Sequence, residues 1–387
     1  MDAERSAENE SRYAAALSEH PDPTHAAADV TAAVCAQLGS PPELAVCFVT
    51  PPHRDAFADI AEIVRSALQP ATMIGATAEA VIGPRREVEQ EPGISLFAAR
   101  AATTIQPVHL RAESSGNGWE ISGLPSDLGG VASMILVADP FSFPVHALLD
   151  TLKRDRPDLA VIGGMASAAN GPGGNRLLVN DAVSTDGAVG VLLRQDLSPQ
   201  PVVSQGCRPI GRPYIVTRAD GNVVYELGGR PALERLLSTL EHLSPVDRQL
   251  AEQGLHCGVV IDETKVDYER GDFLIRGVLG ADAATGSVAV GDMVALGSTI
   301  QFQVRDAASA DDDLRAVLSG RAARGALVFT CNGRGRRLFG TSDHDATVVT
   351  ELLGTSTVAG MSCAGEFGPI GGRNAVHGFT ASLAIFV

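Results

Sequence analysis

Lysine is almost absent from the sequence: Lys153 and Lys265 are the only two among 30 basic residues. So strong an arginine bias reflects a GC-rich genome more than a binding role, and no single arginine carries weight by identity alone. Positive charge is scarce as well. Set against 46 acidic residues it leaves a net charge of −16, and a surface that acidic repels polyphosphate backbones and anionic lipid heads. Nucleic acid and membranes are therefore not expected as partners. Apolar runs approaching 18 residues without a glycine or a charge are missing, so no segment is expected to span a bilayer. The opening Met1–Glu10 is polar and acidic, unlike a secretory signal, and a cytoplasmic protein is expected. The six cysteines (Cys35, Cys47, Cys207, Cys257, Cys331 and Cys363) stand singly, with no Cys-x-x-Cys. Reduced thiols are expected, with no structural zinc, no other metal and no cofactor.

What is present is ordinary globular material. Apolar residues make up 45% and charged residues 20% of 387, enough for two domains with proper cores. One order of elements recurs along the chain. Leu44–Val49 reads as a buried strand, Asp55–Leu68 has apolar residues at helical spacing, a second strand ends in Ile74–Glu79, and Ile94–Ala99 returns. The same order runs from Met134 through a helix over 144–153 to Ala160–Ile162 and Gly163-Gly164, with returning strands near 176–179 and 187–193. It recurs from Ala326 through a helix over 346–353 to Val358–Glu366, closing with Phe379–Val387. A weakened copy is expected over 258–304. Such units predict an α/β (α+β) fold of two similar halves with mixed sheets, since strand–helix–strand crossovers pair in parallel and returning strands antiparallel. The prolines in Asp196–Pro201 read as a linker, and the first residues as a mobile or helical extension.

Cys331-Asn332-Gly333-Arg334-Gly335, followed by Val358-Ala359-Gly360, Gly365-Glu366-Phe367-Gly368-Pro369 and His377-Gly378-Phe379-Thr380, resembles the C-terminal region of the FIST family of sensory domains. The resemblance covers about residues 44–387. It implies an extension over 1–43, a FIST N-terminal domain over 44–198 and a FIST C-terminal domain over 199–387. In the family the first glycine turn often reads G-C-S-T-A-G-E. Here Gly75-Ala76-Thr77-Ala78-Glu79-Ala80 lacks a glycine and has its Glu displaced by one, which leaves the first unit without an assigned ligand role. Membership implies a small-ligand sensor, with amino acids as the usual ligands. No histidine-kinase helix pattern or methyl-accepting coiled coil accompanies it, so a separate signalling protein is the expected partner, with a homodimer as a further expectation.

Glycine turns at the carboxyl ends of parallel strands are where open α/β sheets bind ligands. Gly333 and Gly335 allow a nest of N–H donors and the three arginines beside them add positive charge, so an anionic or zwitterionic guest is expected. Arg334 suits a carboxylate held bidentately, and Glu366 suits the ammonium of an amino acid. The plainer alternative pairs these two with each other. The candidate ligand set is Cys331, Asn332, Gly333, Arg334, Gly335, Gly360, Ser362, Gly365, Glu366, Phe367 and His377. Ser167 and Asn170 read as turn and cap residues. An enzymatic reading would use Cys331 as nucleophile with His377 as base, although Cys331 also reads as a buried strand end. Asp311-Asp312-Asp313 reads as a helix N-terminus rather than a metal site. The favoured function is a ligand-binding sensor. A protein-interaction scaffold or oligomer is the alternative, and a cysteine-dependent enzyme ranks third.

Overall fold

The computed structural model describes residues 12–102, 104–116, 118–268 and 271–387. They fall into two compact units that are discontinuous in sequence. The first takes the chain up to Val203 with Val317–Val376 and Ala381–Val387; the second takes Ser204–Ala316 and His377–Thr380. The Asp196–Pro201 segment does not separate them: Leu197 is buried, and Gln200 begins a sheet strand.

The first unit opens with β1 (Tyr13–Ser18) and α1 (Pro23–Leu38), then β2 (Leu44–Val49), a 3-10 turn over Pro51–Ala56, α2 (Phe57–Leu68) and β3 (Thr72–Thr77). A hairpin of β4 (Ala80–Gly83) and β5 (Arg86–Glu89) leads to β6 (Ile94–Ala99). Next come β7 (Gln106–Ser115), β8 (Gly118–Ser122), β9 (Val131–Ala138), α3 (Val145–Asp155), β10 (Ala160–Met165), the hairpin β11 (Leu177–Val179) and β12 (Ala182–Ser184), β13 (Ala188–Arg194) and β14 (Gln200–Gln205). Period-two alternation decides the faces. In β2, Leu44, Val46 and Phe48 enter one core, while Ala45, Cys47 and Val49 meet helices α1 and α2 in another. Phe57, Ile60, Ala61, Val64 and Leu68 make the buried stripe of α2.

The expected extension over 1–43 is corrected from residue 13 onward; residues 1–11 lie outside those described. Strand β1 pairs with β6, and α1 starts where the Asp22 side chain accepts the His25 N–H at 2.9 Å and stops at Gly39 in the left-handed region. Its buried stripe is Ala26, Ala27, Val30, Thr31, Val34 and Leu38, but Ala28, Ala32, Ala33 and Ala36 on the exposed face blur the apolar periodicity.

The second unit contains β15 (Cys207–Pro209), β16 (Tyr214–Asp220), β17 (Val223–Leu227), β18 (Arg230–Pro231), α4 (Ala232–Glu241), α5 (Pro245–Gln253), β19 (Leu255–Val260), β20 (Phe273–Asp282), β21 (Ser287–Val290), β22 (Thr299–Arg305) and most of α6 (Ala307–Leu318). Strands β22, β16, β17, β21, β20 and β19 pair antiparallel in that order, and β19 returns to β22, closing a barrel. Residues 258–304 are therefore not a weakened parallel copy: β19 and β20 run antiparallel, with no helix between them among the described residues. Asp311–Asp313 lie inside α6 rather than at its start.

The chain then returns to the first unit with β23 (Gly325–Cys331), α7 (Arg336–Phe339), α8 (His344–Leu353), β24 (Val358–Cys363), the hairpin β25 (Glu366–Ile370) and β26 (Arg373–His377), and β27 (Thr380–Phe386). The α/β class and mixed sheets are as expected. Each of three repeats holds one parallel pair, β2/β3, β9/β10 or β23/β24. In each, the hairpin after the second strand leaves its own sheet. Hairpin β4–β5 pairs onto β24, hairpin β25–β26 onto β10, and hairpin β11–β12 onto β3, so that the exchange closes on itself. A shared core includes Phe48, Phe97, Phe329 and Phe386, with Phe48 edge-on to Phe329 at 5.9 Å.

The three repeats share one packing device. Gly75, Gly163 and Gly360 sit on the second parallel strand, where a Cβ would overlap the carbonyl oxygen of the register partner, Cys47, Leu136 or Val328. Gly360→Ala is accordingly expected to lower stability by about 3 kcal/mol, whereas Gly116→Ala, which meets open space, should stay within about 0.5 kcal/mol of wild type. Urea-denaturation midpoints of the two variants check this.

Candidate functional site

Strand β23 ends at Cys331, and the turn that follows opens a cleft of about 170 Å³. One wall is Thr330, Cys331, Asn332, Arg334, Gly335, Arg336 and Arg337; the facing wall is Glu79, Ala80, Ile82, Glu87, Glu89 and Gln90, with Ser362 between them. The exchanged hairpin and its flanking residues thus supply six of the fourteen lining residues.

Two serines fix the start of that hairpin. Ser362 Oγ accepts the Ala80 N–H at 2.8 Å, and Ser167 Oγ accepts the Glu79 N–H at 2.9 Å while donating to the Ser362 carbonyl at 2.7 Å. Helix α8 fixes its far end. The Glu87 N–H donates to Asp343 Oδ1 at 2.7 Å, the Ala346 N–H to Glu87 Oε1 at 2.9 Å, and Arg85 Nη1 reaches Glu351 at 2.7 Å. Gly335 has φ 58° and a Cβ there would crowd Glu89, whose carboxylate accepts the Arg336 N–H at 3.2 Å.

Arg334 lies under this floor, 2% exposed. Its Nε and Nη2 donate to Asp345 at 2.6 and 2.9 Å, and its guanidinium lies 5.2 Å from the Phe339 ring centroid. The third nitrogen, Nη1, is buried with no hydrogen-bond partner. Burial opposes the charge on both partners, but their mutual attraction wins: Arg334 is held above its ordinary pKa and Asp345 is drawn down to about 2. Glu87 goes the other way. Burial first and the Asp345 charge second push its pKa up to about 8, although the Ala346 amide and Arg334 pull against them. At neutral pH Glu87 is a carboxylic acid inside a charged cleft.

The sequence-derived set divides accordingly. Cys331, Asn332, Arg334, Gly335 and Ser362 line the cleft; Gly333, Gly360, Gly365, Glu366, Phe367 and His377 are not among its lining. Gly333 directs its N–H to Cys331 Sγ at 3.4 Å. Gly360 is spent on strand packing and Gly365 on a 2.8 Å bond from the Met165 N–H. Glu366 and Phe367 are fully buried where β25 pairs with β10. His377 belongs to the residues grouped with the second unit. The plainer alternative, in which Arg334 pairs with Glu366, gives way to Arg334–Asp345, because α8 delivers Asp345 under the turn. The expected anion nest is also corrected: the amides of Asn332, Gly333, Arg334 and Arg336 already serve Cys363 O, Cys331 Sγ, Cys331 O and Glu89. Glu79, denied a ligand role by its displaced motif, lines the cleft and meets Arg337 at 3.0 Å. Ser167, read as a turn or cap residue, instead makes long-range bonds that position Glu79 and β24. Glu87, Glu89 and Asp345 carried no local signal, since their places follow from hairpin exchange and a distant helix.

This arrangement defines a mixed α/β protein of hairpin-exchanged repeats with a polar cleft at a strand end. The FIST N domain matches residues 43–230 and the FIST C domain residues 232–369, so the chain belongs to the FIST family, whose domains are tied in general to signal transduction and small-ligand sensing. The chain is also similar to an uncharacterised protein of Mycobacterium bovis, 47% identical over 377 residues covering 95% of this chain and 96% of that one. An uncharacterised protein of Mycobacterium tuberculosis is 44% identical over 383 residues, covering 97% and 100%. No helix among the described residues is long and apolar enough to cross a membrane.

The buried acid has a thermodynamic signature. Its folded pKa lies above its unfolded value near 4.5, so the native state binds the extra proton between the two, and stability falls as pH rises from about 5 to about 8. Glu87→Gln keeps an acceptor for Ala346 and removes the titration. The variant is expected to flatten that slope and to exceed wild type at pH 9 by roughly a few kcal/mol. Chemical denaturation across pH measures both.

Proposed function

We propose that the cleft binds a small zwitterionic or anionic molecule, an amino acid or another small carboxylate, and that the protein acts as a sensor of it. The observation that carries this reading is that Arg334, which lines the cleft, keeps a buried Nη1 without a hydrogen-bond partner. A buried donor without an acceptor costs about 1–3 kcal/mol, which a guest oxygen recovers. The charges around it favour a zwitterion. Arg334 and Asp345 cancel and Glu87 is neutral, which leaves Arg336 and Arg337 against Glu79 and Glu89. The guest carboxylate is assigned to Arg334, Asn332 and Arg336, and the ammonium to Glu79 and Glu89 in place of the buried Glu366.

A separate signalling partner completes the reading. Seven of the ten large hydrophobics exposed among the described residues lie in the smaller second unit, including Val266 at 90% and Met293 at 78%. The partner's contact is assigned to that smaller unit on this excess of exposed apolar side chains.

A thermal-shift screen against amino acids and small carboxylates tests the proposal. A guest at a hundred times its Kd adds about 2.7 kcal/mol and should raise Tm by a few degrees. Arg336→Glu, on an exposed side chain, should keep the unliganded Tm and lose most of the shift. If no carboxylate moves Tm at millimolar concentration, the reading fails.

A further inference from the structure

Cys331 is placed differently from the other cysteines. Cys47, Cys207, Cys257 and Cys363 are closed in the core, and Cys35 is half-buried at the surface. Cys331, 8% exposed, ends β23 at the cleft. The Gly333 N–H points at its sulfur from 3.4 Å, and the Arg334 guanidinium is close enough for the charges to interact. The thiol itself donates to Asn332 Oδ1 at 3.8 Å; once that proton is lost, the Gly333 amide and the Arg334 charge are contacts that a sulfur anion accepts. The same wall holds the buried, unpartnered Arg334 Nη1, and the facing wall holds Glu87 as a carboxylic acid with a proton to give. Nucleophile, hydrogen-bond donor and proton donor thus share one small space. That combination selects an electrophile that is small and departs as an oxyanion.

We propose that Cys331 is a hydroperoxide-reactive thiol, with Arg334 Nη1 holding the peroxide oxygen and Glu87 protonating the oxygen that leaves. The Cys331 thiolate attacks the terminal oxygen of a hydroperoxide. An S–O bond forms, the O–O bond breaks, and the departing alkoxide or hydroxide takes the Glu87 proton to leave as alcohol or water. Sulfur is oxidised to the sulfenic acid and the peroxide is reduced, two electrons passing from one to the other. Cys363 provides the next step. It is the register partner of Cys331 on the adjacent parallel strand, and neighbouring strands are about 4.8 Å apart, within the Cα separations that a disulfide spans. Attack by the Cys363 sulfur on the Cys331 sulfenic acid forms the S–S bond, and the hydroxyl leaves with the Cys363 proton as water.

This activity shares the cleft with the proposed carboxylate guest and does not rest on it, so it is measured in a buffer free of carboxylates. The reduced full-length protein is exposed to hydrogen peroxide at neutral pH with dimedone present and then mapped by peptide mass spectrometry. In wild type, a Cys331–Cys363 cross-link is expected before any change at Cys35. In Cys363→Ser, the dimedone adduct should collect on Cys331 instead. Glu87→Gln should slow either product by roughly a hundredfold, the usual worth of a positioned general acid. Oxidation of Cys35 ahead of Cys331 would overturn the proposal, because exposure alone then sets the order. Equal rates in wild type and Glu87→Gln would overturn it too. A failed thermal-shift screen leaves it standing, and loss of peroxide reactivity leaves the carboxylate reading standing.

Discussion

The exchange of hairpins is the constraint on which the first unit depends. A four-residue strand such as β4 or β5 cannot bury a face or satisfy its backbone alone. Paired onto β24 through Ile82 and Val81 it gains both, and the reciprocal placements of β11–β12 on β3 and β25–β26 on β10 meet the same need in the other repeats. The glycines at 75, 163 and 360 belong to this scheme, since each lets the strand that receives a foreign hairpin lie close to its own parallel partner. Because the exchange is cyclic, no repeat is complete without the next. The parts of the two family regions that lie in the first unit therefore share sheets and a core there.

The cleft inherits its chemistry from that arrangement. Hairpin β4–β5 brings Glu87 against the first turn of α8, where Asp345 already neutralises Arg334. Three ionisable groups in so little water cannot all be charged, and the bidentate pair has the better geometry. The proton therefore stays on Glu87. Deleting one member of the Arg334–Asp345 pair would strand a buried charge. The exposed arginines and glutamates at the rim remain adjustable.

Local order was legible in the sequence wherever it rested on periodicity. The helix over 55–68, the strands at 44–49 and 326–330, and the three parallel crossovers follow from apolar spacing that nothing in the tertiary structure had to override. Helix α1 was not legible because alanines lie on its exposed face as well as its buried one, which blurs the period. The barrel was mistaken for a worn copy because strands β19 and β20 have the same apolar content as a crossover pair, and only the missing helix separates the two topologies. For the site, the turn Cys331–Gly335 stood out and does line the cleft. Its partners did not, because Glu87 is 244 residues upstream of Cys331 and is aimed by Asp343 and Ala346. Glu366 failed for the converse reason: it sits in a turn motif of the right form, but the hairpin carrying it joins another sheet.

A sensor must convert occupancy into a change elsewhere, and the connections of Arg334 suggest where that change begins. A guest oxygen on Nη1 adds to a chain running through Asp345 into α8, and from α8 through Asp343 and Ala346 into β5. On the proposed reading, the same guest meets Glu79 and Glu89 on the facing wall. Its binding energy is then spent across the joint between an exchanged hairpin and the sheet that receives it, rather than within one rigid element. Ligands shift a population only by their differential affinity for its states. A joint of two paired residues and a few side-chain bonds offers that difference more readily than a core whose strands are paired along their length. Oxidation of Cys331 would act at the same joint, adding an oxygen to the wall or drawing it toward Cys363. Both inputs would then converge on the docking of one hairpin.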